Sequence, residues 1–106
     1  MDKKSVIKLA QEYADIVCES MPVKEVILYG SHAKNSANEN SDIDIAIVLE
    51  ELEDDYLDVQ IRLFKLRCSF DLRIEPVLIE DSNDKSGFLK EIKDTGIEIY
   101  SAAVPH

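Results

Sequence analysis

LYGSHAKNSANENSDIDIAIVLE, residues 28–50, decides how this chain folds and where its chemistry sits. An apolar run, EVILY at 25–29, stops at Gly30-Ser31; a polar loop, NSANENS at 35–41, leads into S-D-I-D and the apolar run IAIVL. Side chains alternate across a strand, so Asp42 and Asp44 fall on one face and Ile43, Ile45 and Ile47 on the other, toward a core. Like charges about 7 Å apart on one strand face are costly without a counterion. A hard divalent cation such as Mg2+ removes that cost, because carboxylate oxygens are its natural ligands. Gly30 allows a sharp turn and close approach to a ligand. A helix or turn starting there aims free N–H groups at a phosphate, and Ser31 adds a hydroxyl. Phosphate donors and a metal site within one strand–turn–strand unit are the equipment of phosphoryl or nucleotidyl transfer.

The chain has 106 residues, the size of one small domain. It is 45% hydrophobic and 32% charged, a globular composition. The net charge of −10, with a pI near 4.5, speaks against sequence-independent nucleic-acid binding. It suits a cation site, a basic protein partner, or plain solubility. Cys18 and Cys68 stand in no metal-ligand spacing and read as structural thiols. The polar, amphipathic start, MDKKSVIKLAQEY, is no signal peptide. No apolar run approaches the roughly 20 residues of a membrane span. A cytoplasmic protein is expected.

Periodicity predicts a helix over 2–20, with Val6, Ala10, Tyr13 and Val17 inward and Ile7, Ala14 and Cys18 widening the stripe. Strands are expected at 25–29 and 42–49. A second helix over 53–67 has an acidic start and a basic end, and Leu57, Ile61, Phe64 and Leu66 form its apolar side. Phe70–Ile79 reads as a third strand, which Pro76 marks as an edge or a bend. A third helix over 84–95 stops at Gly96, and 97–100 adds a short strand. The order implies a mixed α/β (α+β) domain, a small mixed sheet flanked by helices.

The ordered set in GSHAKNSANENSDIDIAIVLE resembles the signature of the polymerase-β-like nucleotidyltransferase superfamily: G-S-x-A-x-G, a loop, then S-D-x-D and apolar residues. The resemblance runs from Glu25 to Tyr100, with the motif at 30–48. The short length resembles the minimal nucleotidyltransferase group, of the MntA-like antitoxin type. It implies that Gly30 and Ser31 hold the nucleotide's phosphates and that Asp42 and Asp44 bind Mg2+. A third carboxylate from the neighbouring strand would act as general base and metal ligand. The chemistry implied is attack by a hydroxyl on the α-phosphate of a nucleoside triphosphate, ATP before others, releasing pyrophosphate. The acceptor implied is a tyrosine of a HEPN-domain toxin, neutralised by transfer of AMP. The family's second glycine is Asn35 here, a residue that tolerates left-handed backbone better than most.

SFDLRIEPVLIE, residues 69–80, offers two third carboxylates, Asp71 and Glu75. On an unbroken strand they share a face with Arg73, and Phe70, Leu72 and Ile74 take the core face. Counting back from Tyr100 favours Glu75, the preferred candidate. The commoner family form, an Asp flanked by apolar residues, favours Asp71. Register decides between them, and one sequence does not carry it. Lys34 is a candidate triphosphate contact and His32 a weaker one. Two other readings stay open: a catalytically weak antitoxin that neutralises by binding alone, and a transferase acting on a small molecule such as an aminoglycoside. A homodimer is compatible with the exposed faces of so small a domain.

Overall fold

The computed structural model describes residues 2–38, 41–52, 54–83 and 86–102, with Asn83 described in its backbone alone. The element order is α1 (Lys3–Ser20), β1 (Glu25–Tyr29), β2 (Ile43–Leu49), α2 (Tyr56–Arg67), β3 (Ile74–Glu80), a 3-10 turn (Asp81–Asn83), α3 (Phe88–Thr95) and β4 (Ile97–Ser101). The sheet order is β3-β2-β1-β4. β1 runs antiparallel to β2 and β4, and β2 runs parallel to β3. This is the mixed α/β architecture the element order implies.

The alternation of β2 sorts the two faces. Ile43, Ile45 and Ile47 are fully buried in one cluster with Val6, Ala10, Tyr13 and Val17 of α1 and Val59 and Leu63 of α2. Ala46 and Val48 face the other way, in a second cluster with Ile27, Ile79 and Leu89 and Ile92 of α3. Asp2 caps α1, accepting from the Ser5 N–H at 2.8 Å. Tyr13 Oη donates to the Leu63 carbonyl at 2.7 Å, which satisfies a buried hydroxyl and ties α1 to α2.

Three sequence expectations need correction. α2 buries Val59 and Leu63, whereas Leu57 is 62% and Ile61 44% exposed. The helix carries two apolar stripes, and the one containing Leu63 packs. Strand β3 begins at Ile74, not Phe70. Asp71 Oδ1 accepts from the Arg73 N–H at 2.9 Å, a local turn that breaks the extended run and leaves Leu72 67% exposed. Helix α3 begins at Phe88, because Gly87 at φ +77° stands outside right-handed helix. The expected start of that helix at Asp84, like that of α2 at Glu53, lies outside the described residues.

Edge strand β3 is closed by side chains of α2. Arg67 Nη1 donates to the Ile74 carbonyl at 2.9 Å and Gln60 Nε2 to the Pro76 carbonyl at 2.7 Å. The Leu78 N–H donates to Gln60 Oε1 at 3.1 Å, and Tyr56 Oη donates to the Leu78 carbonyl at 3.3 Å. Pro76, the edge signal in the sequence, thus points its carbonyl outward, where its missing N–H interrupts no ladder bond to β2. At the sheet end where β2 and β3 finish, Lys24 bridges Glu50 (2.6 Å) and Asp81. Among the described residues, no helix is long and apolar enough to cross a membrane.

Candidate active site

The site forms at the opposite end of the sheet, where β1 finishes and β2 and β3 begin. Register aligns Tyr29 with Asp44 on the antiparallel side and Asp44 with Glu75 on the parallel side. These three side chains make one row across the sheet, on the face that carries Ile27, Ala46 and Val77 farther along. Helix α3 covers that face over Ile27, Ala46 and Val48. Its first residue, Phe88, meets Tyr29 edge to face at 5.9 Å, so the row lies just past the helix.

Gly30 makes room for the acid. At φ +76° it turns the chain out of β1, and a Cβ placed there would lie 2.3 Å from Asp44 Oδ2. The turn winds on through Asn35: the Lys34 N–H donates to the Gly30 carbonyl (3.1 Å) and the Ser36 N–H to the Ser31 carbonyl (3.0 Å). It is a wound turn rather than a helix. Asn35 closes it at φ +61°, so this position does take the left-handed conformation for which glycine is usual. Lys3 Nζ donates to Asn35 Oδ1 at 3.0 Å and holds the turn from the start of α1. Nothing in the spacing of Lys3 announced that contact.

The electrostatics of the row are those of crowded anions. Burial pushes the Asp44 carboxyl up, Asp42 and then Glu75 add to the rise, and His32 opposes it. Burial, then Asp44 and Glu75, raise the Tyr29 phenol to about 12. Asp42 is exposed, one residue ahead of β2. The Ser41 N–H donates to the Asn38 carbonyl, and Ser41 Oγ accepts from the Asn38 N–H, just ahead of the acids. Glu75 has a cation beside it, Arg67 Nη1 at 3.4 Å. His32 is 7% exposed, and its Nε2 has no hydrogen-bond partner among the described residues. Ser31 is half-buried and Lys34 exposed on the turn.

Asp71 and Glu75 do not share a face. The Asp71 carboxylate takes the Arg73 fork, Nη2 at 2.6 Å and Nε at 3.0 Å, and Arg73 holds its carboxyl below the usual range. The Ile74 N–H donates to the Asp71 carbonyl, so this acid starts β3 instead of facing Asp44. Glu75 occupies that place. Tyr29, which the sequence analysis did not single out, is the third member of the row; its signal was its position next to Gly30.

The donor set suits a hard divalent cation: oxygen ligands, mutual repulsion, and a half-buried carboxylate whose charge burial disfavours. Among the described residues, no three His, Cys, Asp or Glu side chains already converge closely enough to enclose an ion. Carboxylates beside a glycine turn at one end of a small mixed sheet are the kind of donor set that phosphoryl or nucleotidyl transfer calls for. The chain belongs to the Polymerase beta, Nucleotidyltransferase family, which it matches over residues 4–103.

A Methanocaldococcus jannaschii protein named as a candidate protein adenylyltransferase is 25% identical over 100 residues, spanning 89% of this chain and 98% of that one. A candidate nucleotidyltransferase from Sulfolobus solfataricus superposes with a TM-score of 0.70 at 20% identity, over 94% of this chain and 84% of its own. A toxin–antitoxin structure with AMP-PNP superposes at 0.60 and 20% identity, over 97% of this chain and 76% of that one. A variant of the toxin–antitoxin MntA-HpeT superposes at 0.58 and 18% identity, with the same coverage. These likenesses establish the fold.

Proposed function

We propose that this chain transfers AMP from ATP to a hydroxyl of a partner protein, a tyrosine of a HEPN-type toxin, and so acts as an antitoxin. The observation that carries the proposal is the facing pair Asp44 and Glu75 on parallel strands, with Gly30 packed against Asp44. The candidate adenylyltransferase relative and the toxin–antitoxin structures, one holding a nucleotide, support the acceptor class.

In this reading Asp42, Asp44 and Glu75 would hold Mg2+, which when bound neutralises charge on the triphosphate and orients it. The Gly30–Ser31 turn presents backbone N–H groups and a hydroxyl to the phosphates, and Lys34 adds a cation at the rim. Glu75 takes the proton of the acceptor hydroxyl as that oxygen bonds to the α-phosphorus and the bond to pyrophosphate breaks. Asp71 serves structure.

The test is incubation with Mg2+ and α-phosphate-labelled ATP, with and without a candidate HEPN-type toxin as acceptor. Label should reach the toxin with the native chain and fail to with the Asp42→Asn/Asp44→Asn variant. A stable complex that takes no label from any nucleotide would overturn the transfer and leave an antitoxin that acts by binding.

A further inference from the structure

Helix α2 carries a second apolar stripe that the fold does not use. Leu57, Ile61, Phe64 and Cys68 recur at i, i+4, i+7 and i+11, so they line one side of the helix. Leu57, Ile61 and Cys68 are exposed and Phe64 is half-buried beneath the Arg67 guanidinium. The stripe is about 16 Å long at 1.5 Å per residue. Val59 and Leu63 occupy the core side, and Tyr56, Gln60 and Arg67 bind the β3 edge. Among the described residues, nothing covers the Leu57–Ile61 side.

The charges beside the stripe indicate what that is. Asp54, Asp55 and Asp58 are exposed at its N-terminal end, and Arg62 and Lys65 are exposed toward its C-terminal end. Asp58 and Lys65 are seven residues apart and fall on the same flank of the stripe. A helix that is acidic at one end and basic at the other complements its own antiparallel copy. A uniformly basic partner would meet Arg62 and Lys65, and a uniformly acidic one would meet the three aspartates.

We propose that α2 is a self-association surface on which two copies of this chain pack antiparallel about a twofold axis. Leu57 meets Cys68 of the second copy, Ile61 meets Phe64, and Asp58 of each copy faces Lys65 of the other. A twofold relation preserves the flank while reversing the helix direction, so both charge pairs form at once. A stripe this short buries less than a standard interface, so the dimer is weak and concentration-dependent. The surface is separate from the acid row, and the proposal stands independently of the transfer reaction.

Equilibrium sedimentation of the full chain from low micromolar to millimolar concentration reads the proposal directly. The native chain should pass from monomer to dimer, and Ile61→Asp should keep it monomeric. Asp58→Lys and Lys65→Asp should each weaken the dimer by about tenfold or more. An equimolar mixture of those two variants should restore it, because each supplies the charge the other lacks. Melting curves like the native one would show that these exposed substitutions leave the fold intact. A native chain that stays monomeric overturns the proposal, as does a dimer indifferent to Ile61→Asp or a mixture that fails to rescue. If Ile61→Asp instead abolishes toxin binding by a monomeric native chain, the face belongs to that partner and the proposal falls.

Discussion

Gly30 and Asp44 compete for one volume: the carboxylate of Asp44 sits where a side chain at position 30 would have to go, 2.3 Å from a Cβ there. The turn and the acid are thus one device. Gly30→Ala adds the cost of a left-handed φ, about 1–2 kcal/mol, and also displaces Asp44. Melting should show a loss of that order, and AMP transfer should fall by about a hundredfold or more, the penalty of an ångström-scale misplacement.

The two acids near the start of β3 should separate cleanly. Glu75→Gln keeps the shape but removes the acid facing Asp44, and transfer should drop at least about a hundredfold, the scale of a lost general base. Asp71→Asn breaks the clamp on Arg73 and should leave the transfer rate within a few-fold of native. A rate assay on both variants decides this; loss confined to Asp71→Asn would reverse the assignment.

Asp44 should cost the metal-free protein stability. Its folded pKa is raised, by burial first and then by Asp42 and Glu75, so its ionised form opposes folding at neutral pH. That opposition is relieved as pH falls through the raised pKa toward the ordinary value of about 4. With a chelator present at pH 7, Asp44→Asn should melt a few degrees above the native chain, and the gap should close on mild acidification. Asp71 and Asp81 have lowered folded pKa values, through Arg73 and Lys24 respectively. Their stabilisation is complete above about pH 4 and is lost below it. The native melting temperature should therefore fall steeply in that lower range. A native chain that melts above Asp44→Asn at pH 7 without metal would refute the strain.

Gln60→Ala should unseal β3. It leaves the Pro76 carbonyl and the Leu78 N–H without their side-chain partner, a loss of about 1 kcal/mol per bond. Chemical denaturation should show the destabilisation, and hydrogen exchange should rise at the Leu78 amide. Unchanged exchange there would mean that the contact is not formed in solution.

The elements that could be read from sequence are those in which one period dominates. The 3.6-residue stripe of α1 and the isoleucines at every second position of β2 each point to one inward face, and Val6, Tyr13, Ile43 and Ile45 are buried as the pattern requires. Pro76 gave away the edge strand because its chemistry has few other uses. Reading failed where two patterns competed. Helix α2 has apolar residues on two sides, and neighbours outside its own sequence decide that Leu63 is covered and Leu57 is not. The run FDLRI alternates like a strand, yet the Asp71 side chain bonds its own backbone and turns the chain. Which of Asp71 and Glu75 lies opposite Asp44 depends on the alignment of β3 with β2, a pairing of segments distant in the chain. Asn35 shows the reverse case: a residue that departs from the usual glycine still adopts a left-handed φ of +61°, with Lys3 as an added tether.

The side chains that α2 lays along β3 also limit what the sheet can become. Growth of a fibre by strand addition needs two accepting borders per molecule, one to join and one to extend. Here Arg67, Gln60 and Tyr56 occupy the backbone groups of one border, leaving β4 as the other. Strand-to-strand addition of folded molecules therefore ends at a pair, and the sheet acts as a chain terminator for its own polymerisation.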